Sequence, residues 1–98
     1  CSSLPMWSYG KLGINIPRTA AEQGRYCVQN NFVVSLGALV PGDLVFYSSN
    51  KNGRFMNITH VAIYVGDGMI IDASSSRGQV VYRKMWGNPI MYGRPHIL

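Results

Sequence analysis

From residue 43 onward the chain is written as closely spaced strands. The runs DLVFYS, HVAIYV, MIIDA, QVVYRK and IMYGRPHIL are rich in β-branched and aromatic residues, and Gly, Asn or Ser bounds each one. Such a series is expected to form a meander of antiparallel strands. The preceding residues carry helix signals instead. Helices first and strands second predict an α+β domain, with N-terminal helices packed on one face of a small curled antiparallel sheet.

In CSSLPMWSYGKLG, residues 1–13, Leu4, Trp7 and Leu12 fall near helical spacing. Ser2 or Ser3 can cap the free amides, Pro5 is tolerated in the first turn, and Gly10 and Gly13 close the helix. Pro17 then enforces an extended link. Thr19-Ala20-Ala21-Glu22 has the form of a capping box, so a second short helix is expected to begin at Thr19, with Gly24 limiting its length. Residues 30–38 are expected to be a loop with some extended pairing, and Pro41-Gly42 a turn that Asp43 serves.

The hairpin in THVAIYVGDGMIIDA raises a sharper question. Along the first strand His60, Ala62 and Tyr64 share one face, and Val61, Ile63 and Val65 share the other. A two-residue turn at Asp67-Gly68 would oppose Ile63 to Asp72 and turn the acid away from the histidine. A three-residue loop, Gly66-Asp67-Gly68 with Gly68 left-handed in a bulge, pairs Val65 with Met69 and Ala62 with Asp72. Asp72 is then one diagonal step from His60 on the same face. The second register is the one expected here.

That register has a chemical consequence. A carboxylate accepting from one imidazole nitrogen fixes the tautomer and leaves the other nitrogen to act on a nucleophile. Cys1 is the candidate nucleophile, because the start of a helix and a nearby imidazolium both favour a thiolate. The backbone N–H of Cys1 or Ser2 would be placed to stabilise an oxyanion. The other cysteine, Cys27, has no partner motif and reads as a small buried hydrophobe. The two cysteines lack zinc-ligand spacing and make a weak disulfide framework, so no metal is expected. Asp72 could instead cap a turn before Ser74, and Arg18 could be a solvated arginine.

Composition narrows the remaining classes. A chain of 98 residues makes one domain, residues 1–98. It starts at Cys1 rather than methionine, so it is expected to lack an N-terminal segment and to belong to a larger multidomain chain. No apolar run is long enough for a membrane span. The net charge of +5 is scattered along the chain, and no nucleic-acid-binding motif is present. Attraction to polyanionic surroundings is expected; a wall with teichoic acids, a nucleic acid backbone and an anionic membrane all fit the charge, and it is the absence of binding motifs that speaks against a nucleic acid partner.

Several motifs together resemble the NlpC/P60 family of cell-wall peptidases. CSS followed by an aromatic-bearing helix resembles its Cys-Ser-Gly nucleophile motif, with Ser3 replacing the glycine. GINIPRTAAEQ is similar to its Gly-Ile-x-Leu-Pro-Arg-Thr-x-x-x-Gln link, LVPGDLVFY to its Pro-Gly-Asp strand, and THVAIYVGDGMIIDA to its histidine-bearing hairpin. The motifs occur in the family's order, and YGRP is like its final strand.

The resemblance implies a papain-like fold with Cys1 as nucleophile, His60 as general base and Asp72 at the third, polar position, where the family often has histidine. It also implies substrate contacts from Ser2, while Arg18 is a candidate for a carboxylated substrate group. The family's acidic residue before the cysteine and its upstream oxyanion tyrosine would precede Cys1. The implied activity is that of a secreted or wall-associated bacterial cysteine endopeptidase. It would act on peptidoglycan stem peptides, between D-glutamate and the diamino acid, without a cofactor. Rival expectations are a non-catalytic wall-binding module, an acyltransferase on the same scaffold, and an N-terminal nucleophile hydrolase using the Cys1 amine.

Overall fold

The computed structural model describes residues 19–48, 53, 55–74 and 79–95. The expected N-terminal helix with Cys1, Ser2 and Trp7, the link carrying Arg18, and His96 lie outside the described residues. Helix α1, Ala20–Gln29, begins where the capping box placed it, and the Thr19 hydroxyl accepts from the Glu22 amide at 3.3 Å. Gly24 does not shorten the helix. It is the point of close approach to the sheet, since a Cβ there would meet Ile58 Cδ1 at 2.5 Å and Met91 Cε at 3.1 Å. A glycine chosen for contact is compatible with helix whenever packing outweighs its propensity cost of about 1 kcal/mol.

Six strands follow: β1 (Val33–Val34), β2 (Leu44–Tyr47), β3 (His60–Gly66), β4 (Met69–Ser74), β5 (Gln79–Lys84) and β6 (Met91–Gly93). They form one antiparallel sheet in the order β1-β6-β2-β3-β4-β5. The meander is therefore confined to β2 through β5. β6 does not continue it beside β5, but returns to the opposite side and inserts between β1 and β2. The reason lies in β2, whose four residues are all buried. A strand apolar on both faces needs a hydrogen-bonded neighbour along each edge, and β6 supplies the second.

The return is held by an ion pair. Arg94, just past β6, donates from Nε to Asp43 Oδ1 at 2.8 Å and from Nη2 to Oδ2 at 2.9 Å. The same nitrogen reaches the Ala38 carbonyl. Asp43 is fully buried and also accepts from the Val40 amide at 2.9 Å. The acid thus serves its turn, as expected, and ties that turn to the last strand.

Strand alternation divides the interior in two. Leu44, Phe46, Val61 and Met91 face α1 and pack with Ala20, Ala21, Cys27 and Ile58. Val45, Tyr47, Ala62 and Ile70 occupy the opposite face with Tyr64, Met85 and Tyr92. His60 and Asp72 share that second face by the same alternation. Cys27 is a free thiol, wholly buried, and burial followed by the negative charge of Asp43 pushes its pKa up to about 12. It is a core residue, as its lack of a partner motif suggested.

The hairpin reaches the expected register by another route. Asp67 and Gly68, with φ of 54° and 73°, form a two-residue turn of the left-handed kind, closing Gly66 against Met69. The ladder then shifts between Tyr64 and Gly66, leaving Val65 as the extra residue, before Tyr64 pairs with Ile70 and Ile63 with Ile71. The bulge thus lies in the strand rather than at Gly68. It compensates for the tight turn by one residue, which returns Asp72 to the His60 face.

Candidate active site

His60 is the first residue of β3 and pairs with Tyr47, the last residue of β2, so the imidazole stands at one end of the sheet. Its Nε2 lies 2.8 Å from Asp72 Oδ2. Asp72 is fully buried, and the His60 side chain is 17% exposed. The carboxylate is buried behind the imidazole, and the imidazole faces outward.

A second cation meets the same carboxylate. Arg83, on β5, donates from Nε to Asp72 Oδ1 at 3.1 Å and from Nη2 to Oδ2 at 2.5 Å. Burial acts to raise the Asp72 pKa, but hydrogen bonds from Arg83 and His60, and then their charges, outweigh it and hold the carboxyl below its ordinary value. Asp72 is therefore ionised at neutral pH and can only accept. The proton of a neutral His60 must then sit on Nε2, and Nδ1 carries the lone pair available to a reactant.

No motif in the sequence marks Arg83. Its signal was present in the alternation of QVVYRK, which puts Val81 and Arg83 on one face. Only the pairing of Asp72 with Val81 and Ile70 with Arg83 brings that face to the acid.

Aromatic rings wall the site. Trp86, two residues beyond β5, stacks on Tyr47 with ring centroids 4.0 Å apart and planes 7° from parallel. The His60 ring lies 5.9 Å from Tyr47 and 5.8 Å from Trp86. Burial drives the Tyr47 phenol up to about 12, against an opposing effect of the Trp86 backbone and with the Asp72 charge adding to the rise. At neutral pH Tyr47 stays protonated and serves as wall rather than base. Trp86 is 39% exposed, so it is part of the lining and only partly core.

The described residues thus join His60 to Asp72 and add Arg83, Tyr47 and Trp86. Cys1, Ser2 and Arg18 lie outside them. Among the described residues no cluster of His, Cys, Asp or Glu could hold a metal ion, and no helix is long and apolar enough to cross a membrane.

A helix packed on one face of an antiparallel sheet, with a histidine and an acid meeting on the other, defines an α+β domain of the papain-like class. The model of the NlpC/P60 family matches residues 1–93, and the chain belongs to that family. Relatives include the bifunctional muramidase/DL-endopeptidase CwlT of Bacillus subtilis, 41% identical over 78% of this chain and 21% of its own length. Another is the protein named "Probable endopeptidase p60" in Listeria monocytogenes, 31% identical over 96% of this chain and 18% of its own length. The chain therefore spans about a fifth of the length of either relative. Among solved structures, the peptidoglycan hydrolase RipB of Mycobacterium tuberculosis superposes with a TM-score of 0.78 at 26% identity, covering 97% of this chain and 44% of that one. NlpC2 of Trichomonas vaginalis superposes with a TM-score of 0.82 at 28% identity, covering 96% and 36%.

Proposed function

We propose that the chain is the catalytic domain of a peptidoglycan endopeptidase. It would cleave stem peptides between D-glutamate and the diamino acid through a cysteine thiolate. The observation that carries this reading is the 2.8 Å contact between His60 and a buried, ionised Asp72 in a family whose relatives are named endopeptidases. The DL-endopeptidase names of CwlT of Bacillus subtilis and CwlO of Bacillus licheniformis support the choice of bond.

In this reaction the Cys1 thiolate attacks the amide carbonyl carbon, and the Cys1 backbone N–H stabilises the oxyanion. The imidazolium of His60 gives its Nδ1 proton to the departing amine as the C–N bond breaks, leaving a thioester. Water then loses a proton to Nδ1 and attacks the thioester, releasing the carboxylate product and the thiolate. Asp72 holds the Nε2 proton throughout. Ser2 and Arg18 contact the substrate peptide. The net positive charge suits a polyanionic wall, and the protein would work outside the cell or within the wall as one part of a larger chain.

Mass spectrometry of peptidoglycan fragments after digestion tests the proposal. Fragments ending in D-glutamate are expected from the wild-type chain and none from Cys1→Ala, with wall binding retained by both. Intact muropeptides after wild-type treatment would instead leave the domain a wall-binding module.

A further inference from the structure

We propose that Arg83 is a positioning residue, a rigid fork that holds the Asp72 carboxylate in the orientation in which Oδ2 meets His60 Nε2. The proposal rests on the catalytic reading of His60 and Asp72 given above. A single hydrogen bond from His60 leaves a carboxylate free to rotate about its Cβ–Cγ bond. The Arg83 donors Nε and Nη2 lie in one fixed plane and engage both oxygens, so rotation breaks at least one contact.

The fork is itself held in place. The Arg83 guanidinium carbon lies 5.4 Å from the centroid of the Trp86 ring, Trp86 stacks on Tyr47, and Tyr47 is the ladder partner of His60. The clamp on the acid and the base it serves are therefore referred to the same aromatic pair. Loss of Arg83 would loosen the acid.

Arg83 also answers an electrostatic requirement of turnover. Among the described residues the groups facing Asp72 are His60 from β3, Arg83 from β5 and the neutral phenol of Tyr47 from β2. Each time His60 passes its proton on, one of the two cations beside a buried carboxylate disappears. Arginine keeps its charge at any working pH, so Asp72 remains paired and ionised through both halves of the cycle.

The test compares Arg83→Gln and Arg83→Lys with wild type in steady-state muropeptide cleavage across pH, and by NMR of the His60 ring nitrogens and the Asp72 carboxyl carbon. Arg83→Gln should lower kcat by about 10- to 100-fold with KM nearly unchanged. Its acid limb of kcat/KM should move to higher pH, and in a Cys1→Ala background at high pH, where no thiolate holds the imidazole as its cation, the single Nε2–H tautomer of neutral His60 should become a mixture. Arg83→Lys keeps the charge without the fork, so it should restore the acid limb but not kcat. Wild-type kcat in folded Arg83→Gln, full recovery of kcat with lysine, or an unchanged tautomer ratio would overturn the clamp. If Arg83→Gln does not fold, Arg83→Lys carries the same test through kcat and the tautomer ratio. An inactive wild type whose His60 tautomer still depends on Arg83 would remove the proposed activity and leave the clamp standing.

Discussion

His60 Nε2 and Asp72 Oδ2 lie 2.8 Å apart, although a turn and a bulge separate them along the hairpin. The contact depends on a cancellation. The tight Asp67-Gly68 turn alone would place the acid on the α1 side of the sheet, and the extra residue Val65 reverses that. Arg83 then donates to both oxygens of the same carboxylate.

Replacing Asp72 by alanine removes the acceptor that holds the His60 proton on Nε2 and leaves Arg83 without its partner. Turnover of muropeptides should fall by at least about 100-fold, because the base loses its tautomer and its orientation. Digestion followed by mass spectrometry, at matched concentrations of folded protein, measures this loss.

The same carboxylate makes stability depend on pH, with a sign that follows from its lowered pKa. The unfolded chain binds a proton at Asp72 near the ordinary value of 3.8, and the folded chain binds it only at lower pH. The contribution is complete above the unfolded value and is lost as pH falls through the folded one. Urea midpoints at pH 5 and pH 3 should therefore differ more for wild type than for Asp72→Asn, and an equal difference would contradict the assignment.

Gly93 sits where β6 crosses beneath α1. A Cβ at this position would lie 2.5 Å from Cys27 Sγ, 3.1 Å from Cys27 Cβ and 3.3 Å from Phe46 Cε2. Two of these atoms belong to well-packed groups that cannot swing away, so Gly93→Ala should destabilise the domain by about 1–3 kcal/mol. Denaturant unfolding reads the loss, and adding Cys27→Ala should recover only part of it, since the Cys27 Cβ remains.

Cys27 should resist alkylation for as long as the domain stays folded. Its thiol is wholly buried, with a pKa near 12, so neither access nor thiolate is available. Iodoacetamide labelling followed by mass spectrometry should show it modified only at the rate of unfolding in denaturant. Rapid labelling in native buffer would contradict its place in the core.

Local chemistry carried much of this fold. The Thr19 cap, the alternation of β2 and β3 and the turn glycines depend on neighbours within a few residues, and they could be read from spacing. The family motifs rest on the same short segments. The position of β6 could not be read in that way, because β2's need for two neighbours is a property of the whole sheet. Gly24 follows the same rule: its value lies in Ile58 and Met91, far away along the chain.

The amino-acid order by itself determined the identities of His60 and Asp72, their strands and the face that each alternation allows. Tertiary structure decided that the two meet, through the bulge at Val65, and it brought Arg83 and Trp86 to them. Alternation is set by the backbone geometry of a single strand, whereas register is set by the pairing of separate strands and by the packing that rewards it. A fork on β5 and a ring beyond it have no shared signal in sequence with an acid on β4, and only the closed sheet makes them neighbours.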